Sequence, residues 1–189
     1  MPRLGASSSR PATMTLPNLI TIARLILVPV VIAMIGSGQW LAAFVLFAVA
    51  GISDAVDGFL ARRFGLQSEL GAYLDPLADK ALLISIYVSL AVVGVLPGWV
   101  AILVVFRDIM ILMAIVLSWL MARPLAIRPL WVSKMTTVAQ IGFAGLVLGA
   151  RAFGLDLAVV HDLALAAVAL LTLLSAGAYL ALWLRHMAT

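Results

Sequence analysis

Long apolar runs, cut by short clusters of glycine, proline and charge, set the pattern of this chain. The first run follows Pro17 and continues through Val28, Pro29 and Ile32 until Gly36-Ser37-Gly38 interrupts it. With such breakers as boundaries, the pattern predicts six helices: Pro17–Ile35, Trp40–Arg63, Ser68–Val93, Trp99–Met121, Val132–Ala150 and Leu157–Leu184. Pro17 suits a helix start, and Pro29 predicts a kink inside the first helix. Gly94 to Gly98, with Pro97 between them, predict a turn. Arg123, Pro124, Arg128 and Pro129 predict a polar loop. No internal repeat is apparent, so one bundle is the simplest account.

Composition turns these helices into membrane spans. Of 189 residues 65% are hydrophobic and 11% charged, where a soluble domain holds about 45–50% and about 25%. The mean hydropathy is +1.21. These values exclude a soluble enzyme and a disordered chain. A spanning helix takes about 20 apolar residues, and the length accommodates six. The expected fold class is therefore all-α, a polytopic membrane protein with six transmembrane helices. Cysteine is absent, which removes disulfides, thiolate metal sites and cysteine nucleophiles. A pI near 10.1 would suit nucleic acid in a soluble protein. In a membrane protein, basic residues instead set topology and meet anionic headgroups, so no nucleic-acid partner is expected.

Arg3, Arg10, Arg62, Arg63, Arg123, Arg128, Lys134 and Arg185 fall at the tail, the second and fourth connections and the C-terminus. The first and third connections carry no charge, and Arg151 in the fifth is offset by Asp156 and Asp162. This bias predicts both termini in the cytoplasm; a bacterial inner (cytoplasmic) membrane is the expected location, with an organellar membrane the alternative and any active site on the cytoplasmic side. Residues 1–12 are expected to form a flexible N-terminal tail and residues 13–189 a single domain. No small-residue cleavage site follows the first apolar run, so that run is expected to be retained.

Acidic residues are scarce and clustered. Of the eight, Asp54, Asp57, Glu69, Asp75 and Asp79 lie between positions 54 and 79. An aspartate at a membrane helix centre costs about 2.5–3.5 kcal/mol on insertion scales, so four of them need a purpose. Asp54 and Asp57 are spaced i,i+3 and Asp75 and Asp79 i,i+4, which places each pair on one helix face. The short connection from Arg62 to Leu70 makes the two helices neighbours. Converging carboxylates repel, and divalent cations resolve the repulsion, with Mg²⁺ or Mn²⁺ suited to an all-oxygen ligand set. The bland alternative pairs Asp54 and Asp57 with Arg62 and Arg63, and Asp79 with Lys80. Gly58, Ala61 and Gly71 allow close helix packing or close approach of a phosphorylated ligand. Arg62 either binds phosphate or marks topology.

Written out, Asp54-Ala-Val-Asp57-Gly58-Phe-Leu-Ala61-Arg62, eight residues, Gly71, three residues, Asp75, three residues, Asp79 resembles the signature of the CDP-alcohol phosphatidyltransferase family, with every fixed position filled. The resemblance implies a six-helix membrane enzyme, usually a homodimer. It implies that Asp54, Asp57 and Asp75 hold a two-metal centre, with Asp79 touching one metal and acting as catalytic general base. Asp54, Gly58, Ala61, Arg62 and Gly71 are then the residues around the cytidine diphosphate of CDP-diacylglycerol. The reaction is displacement at phosphorus with CMP leaving, for which two Mg²⁺ or Mn²⁺ ions stabilise attacking and leaving oxygens.

The acceptor alcohol has to be read from the remaining polar positions. Pro17-Asn18-Leu-Ile-Thr21-Ile-Ala-Arg24 resembles the phosphatidylglycerophosphate synthase and cardiolipin synthase branches, and Asn18, Thr21 and Arg24 share one face. Arg24 either pairs with an aspartate or meets an acceptor phosphate. Arg107-Asp108 lies inside the fourth helix, where adjacency argues against a mutual pair. Arg107 and Lys134 are therefore the candidates for an acceptor phosphate. The apolar residues after Asp108, with Leu96-Pro97 and Arg128-Pro-Leu-Trp-Val-Ser-Lys134, resemble the cardiolipin synthase branch, whose acceptor is phosphatidylglycerol. Glycerol 3-phosphate, the acceptor of phosphatidylglycerophosphate synthase, is the alternative. A cation or proton transporter is the rival class, but it predicts polar residues through both leaflets, whereas these acids sit toward one side.

Overall fold

The breakers end the helices close to where the sequence places them. The computed structural model describes the backbone of residues 16–64, 69–120 and 130–188. Within them lie α1 (Leu16–Gly36), α2 (Trp40–Phe64), α3 (Glu69–Val92), α4 (Gly98–Leu120), α5 (Trp131–Phe153) and α6 (Ala158–Ala188). No strand occurs among the described residues. Pro29 stands inside α1 without ending it. The largest difference is at the end of α6, which runs past Leu184 to Ala188, and α5 runs past Ala150 to Phe153. There Gly154, at φ 63°, turns left-handed and donates its N–H to the Ala150 carbonyl, a conformation that a β-carbon would strain. Gly38 and Gly94 serve the other two described turns in the same way. The N-terminal tail, residues 1–12, and the loop of Arg123 and Arg128 lie outside the described residues.

Helix α1 packs on α2 and α3, α5 on α6, α2 and α3, and α4 on α3 and α6. The core is built at helical spacing. On α3 it takes Leu83, Ile86, Tyr87 and Leu90, which meet Val31 and Ile35 of α1, Val100 and Val104 of α4, and Phe143 and Val147 of α5 in one cluster. The outer faces are apolar as well: Ile52, Ile102, Val138, Val159 and Leu163 are all largely exposed. An apolar exterior of this kind suits lipid rather than water. By length and composition, Trp131–Phe153 and Ala158–Arg185 can each cross a membrane. The apolar stretches described in the other helices, Leu25–Gly36, Trp40–Val56 and Lys80–Val92, are shorter.

The turns 36–40, 93–97 and 154–157 gather at one end, where Trp40, Val95, Arg151 and Leu155 border a common hollow. Arg151 lies over the Trp40 ring, 5.8 Å from its centroid. The signature segment belongs to the opposite end.

Candidate active site

Two clefts open at the signature end. The first, of about 610 Å³, is walled by Ala50, Gly51 and Asp54 of α2, Lys80 and Leu83 of α3, Asp108 of α4, and Thr137 and Gln140 of α5. The second, of about 460 Å³, is lined by Lys80, Arg107, Ser133, Lys134, Thr137 and Tyr179, with Ile111 and Val138 as apolar wall. The chain has two lysines, and both border the second cleft.

Between the clefts runs a chain of charged and polar side chains. Lys80 Nζ lies 2.8 Å from Asp108 Oδ2, and Asp108 Oδ1 accepts from Arg107 Nη1. The Arg107 guanidinium is 1% exposed. It donates through Nε and Nη2 to Ser175 Oγ at 3.1 and 2.9 Å, and through Nη2 also to Ser133 Oγ. Buried ions are tolerated when paired and hydrogen-bonded, and this arginine meets both conditions through α4, α5 and α6.

One expectation is corrected here. Adjacency does not prevent an Arg107–Asp108 pair: successive side chains leave a helix about 100° apart, but the long arginine stem swings sideways to the neighbouring carboxylate. Lys80 pairs with Asp108 of another helix; the pairing with Asp79 in the bland reading lies outside the described residues. Arg107 lines the second cleft, yet its fork is committed to three partners inside the protein, which leaves Lys134 and Lys80 as the exposed cations there. Lys134 also lies over Trp131, 5.4 Å from the ring centroid.

Of the signature residues, Asp54 is half-buried at the wall of the first cleft. Asp57, Gly58, Ala61, Arg62, Gly71, Asp75 and Asp79 stand on α2 and α3 with side chains outside the described residues, as do Asn18, Thr21 and Arg24 on α1. Whether the two aspartate pairs face each other lies outside the described residues too. Among the described residues no group of three or more metal-ligating side chains gathers. The fit to a hard divalent ion rests on the oxygen donor that Asp54 brings to the first cleft. The sequence reading assigned Lys80, Asp108 and Ser133 no functional role and did not single out Ser175. A buried acid on α4 demands a cation, and Lys80, directly after the last signature aspartate, was the signal that could have named it.

The family model described as CDP-alcohol phosphatidyltransferase matches residues 14–179. The chain belongs to the CDP-alcohol phosphatidyltransferase family. It is therefore a transferase of phospholipid biosynthesis, in a family of membrane proteins that are generally dependent on divalent metal and pass a group from a CDP-alcohol to an acceptor alcohol. Its relatives carry two kinds of name. A probable phosphatidylglycerophosphate synthase of Mycobacterium tuberculosis is 35% identical over 97% of this chain and 88% of its own length. A probable cardiolipin synthase (CMP-forming) of Drosophila melanogaster is 37% identical over 72% of this chain and 48% of its own. The human cardiolipin synthase (CMP-forming) is 32% identical over 74% of this chain and 52% of its own.

Proposed function

We propose that this phosphatidyltransferase is a cardiolipin synthase: it moves the phosphatidyl group of CDP-diacylglycerol to a hydroxyl of phosphatidylglycerol and releases CMP. The observation that carries this reading is the second cleft. Its exposed cations are Lys80 and Lys134, and its walls include Ile111 and Val138. The ammonium of Lys134 beside an apolar wall suits a singly charged phosphodiester that carries acyl chains. A small, doubly charged phosphomonoester would gain more from the guanidinium of Arg107, which is already engaged.

In this reading the first cleft takes the donor. Asp54, Asp57, Asp75 and Asp79 hold two divalent ions, Mg²⁺ or Mn²⁺, which when bound neutralise charge on the phosphate oxygens. Asp54, Gly58, Ala61, Arg62 and Gly71 surround the cytidine diphosphate, and Asp79 takes the proton of the acceptor hydroxyl. Lys134 anchors the acceptor phosphate, Arg107 stiffens the floor beneath it, and Asn18, Thr21 and Arg24 border the acceptor from α1. The domain spans residues 13–189 behind a flexible tail at 1–12. Six helices cross a bacterial inner membrane with both termini and the site in the cytoplasm, and two copies pair as a homodimer.

A second reading, phosphatidylglycerophosphate synthase, is favoured by the Mycobacterium tuberculosis relative, whose match spans nearly the whole chain. A paired assay decides. Purified protein in detergent receives divalent metal, CDP-diacylglycerol and either phosphatidylglycerol or glycerol 3-phosphate, and lipid products are weighed by mass spectrometry. A four-chain product supports the cardiolipin reading. Phosphatidylglycerophosphate in its place establishes the second.

A further inference from the structure

Lys80 and Thr137 line both clefts, and Lys80 is the charged one of the two. Its side chain is 47% exposed while that of Asp108, its partner, is 6% exposed. An ammonium has three N–H donors; one meets Asp108 Oδ2, and among the described residues no other acceptor takes the remaining two. The position of the ammonium is fixed from behind, because Asp108 is gripped by Arg107 and Arg107 by Ser133 of α5 and Ser175 of α6. Within the relay itself, Lys80 and Arg107 bring two positive charges against the single carboxylate of Asp108, beside the carboxylate that Asp54 adds to the first cleft. An exposed lysine that only marked topology would need neither a buried acid nor an anchored arginine behind it.

We propose that Lys80 holds phosphate oxygens of the donor at the junction of the two clefts, and that Asp108 is the positioning residue that aims it. The proposal rests on the reading above, in which the first cleft takes the donor and the second the acceptor. In the transfer, a bond forms between the acceptor hydroxyl oxygen and the donor phosphorus as the phosphorus–oxygen bond to CMP breaks. The hydroxyl proton passes to a carboxylate of the signature, and Lys80 keeps its own proton throughout. Its ammonium faces the oxygens on which charge grows, which is the place where a fixed donor speeds a reaction most.

The full chain in lipid nanodiscs, with Mn²⁺, CDP-diacylglycerol and each acceptor in turn, tests this. Lys80→Met is expected to lower kcat on the order of 10²-fold and to weaken CDP-diacylglycerol binding measured without acceptor. Its melting temperature should hold, because Asp108 keeps Arg107. Lys80→Arg should restore most of the loss, since the charge is retained. Asp108→Asn should raise the KM for the donor and lower kcat, with the Lys80→Met Asp108→Asn double variant no worse than Lys80→Met alone. A Lys80→Met enzyme within threefold of the parent in both kcat and donor affinity overturns the proposal. So does recovery of turnover in the double variant, which would mean that Lys80 serves only to neutralise Asp108. Should Lys80→Met not fold, Asp108→Asn decides, and an unchanged donor KM overturns the assignment. The products of the unaltered chain test the acceptor reading separately. The variant-to-parent ratio tests Lys80 with whichever acceptor the enzyme uses.

Discussion

Helices α5 and α6 carry two buried polar arrangements that are built in opposite ways. One is neutral and closed. Tyr87 donates to the Gln140 carbonyl at 3.0 Å, Gln140 Nε2 to Thr172 Oγ1 at 3.2 Å, and Thr172 to the Val168 carbonyl at 2.7 Å. Thr136 completes it against the Leu171 carbonyl at 3.0 Å. Each of these donors ends on protein. The other arrangement is charged and open: Ser133 and Ser175 hold Arg107, Arg107 holds Asp108, Asp108 holds Lys80, and Lys80 ends in the clefts. The difference separates architecture from chemistry. A satisfied neutral ladder fixes how helices seat against one another. A charged relay that stops at a half-exposed ammonium asks for an anion to finish it.

Four substitutions press on that contrast. Asp54→Asn, at the cleft wall, should have the largest effect on turnover. CMP release should fall on the order of 10²–10³-fold, the scale for removing a charge that acts in the transition state, with the melting temperature held. Near-normal CMP release would take Asp54 out of the site. Arg107→Met should have the largest effect on stability, about 3–5 kcal/mol, because the buried relay loses its hub. Chemical unfolding in mixed micelles measures it, and a change under 1 kcal/mol would put this relay with surface ion pairs. Thr172→Val sits in the closed ladder and strands Gln140 Nε2. About 1–3 kcal/mol of stability should go, while turnover per folded molecule stays with the parent. A drop in turnover there would show that the two arrangements are coupled. Tyr87→Phe removes one donor at the ladder's end, and about 0.5–1.5 kcal/mol is expected, again with normal kcat.

The sequence exposed one layer of this molecule more readily than the other. Helix boundaries were legible because glycine and proline act locally: α1 ends at Gly36, the first of its breakers, and α4 starts at Gly98, directly after Pro97. Pro29 lies inside α1, as the predicted span Pro17–Ile35 requires, since a proline can sit inside a long apolar helix when packing against α2 and α3 holds the helix together. The signature aspartates were legible because their spacing lies within one short segment. The relay was not. Lys80 and Asp108 stand on different helices, and Ser175 meets Arg107 from 68 positions away, so only the packing of α3, α4 and α6 brings them together. The Arg107–Asp108 pair escaped for a different reason, because a face-by-face count of helix positions ignores how far an arginine stem can reach. The cost of an unpartnered buried charge is the better guide, because it requires a cation for Asp108.

Helix α6 works as a template whose phase matters more than its content. Val168, Thr172, Ser175 and Tyr179 are buried along one stripe, while Leu170, Leu173 and Leu174 face outward. Any apolar letter serves on the outer side. Inserting a single leucine between Val168 and Thr172 would leave hydropathy, length class and composition almost untouched. It would nonetheless turn everything beyond by about 100°, carrying Ser175 away from Arg107 and Thr172 away from Gln140. Drift in this helix is therefore free in its spelling and forbidden in its reading frame around the helical axis.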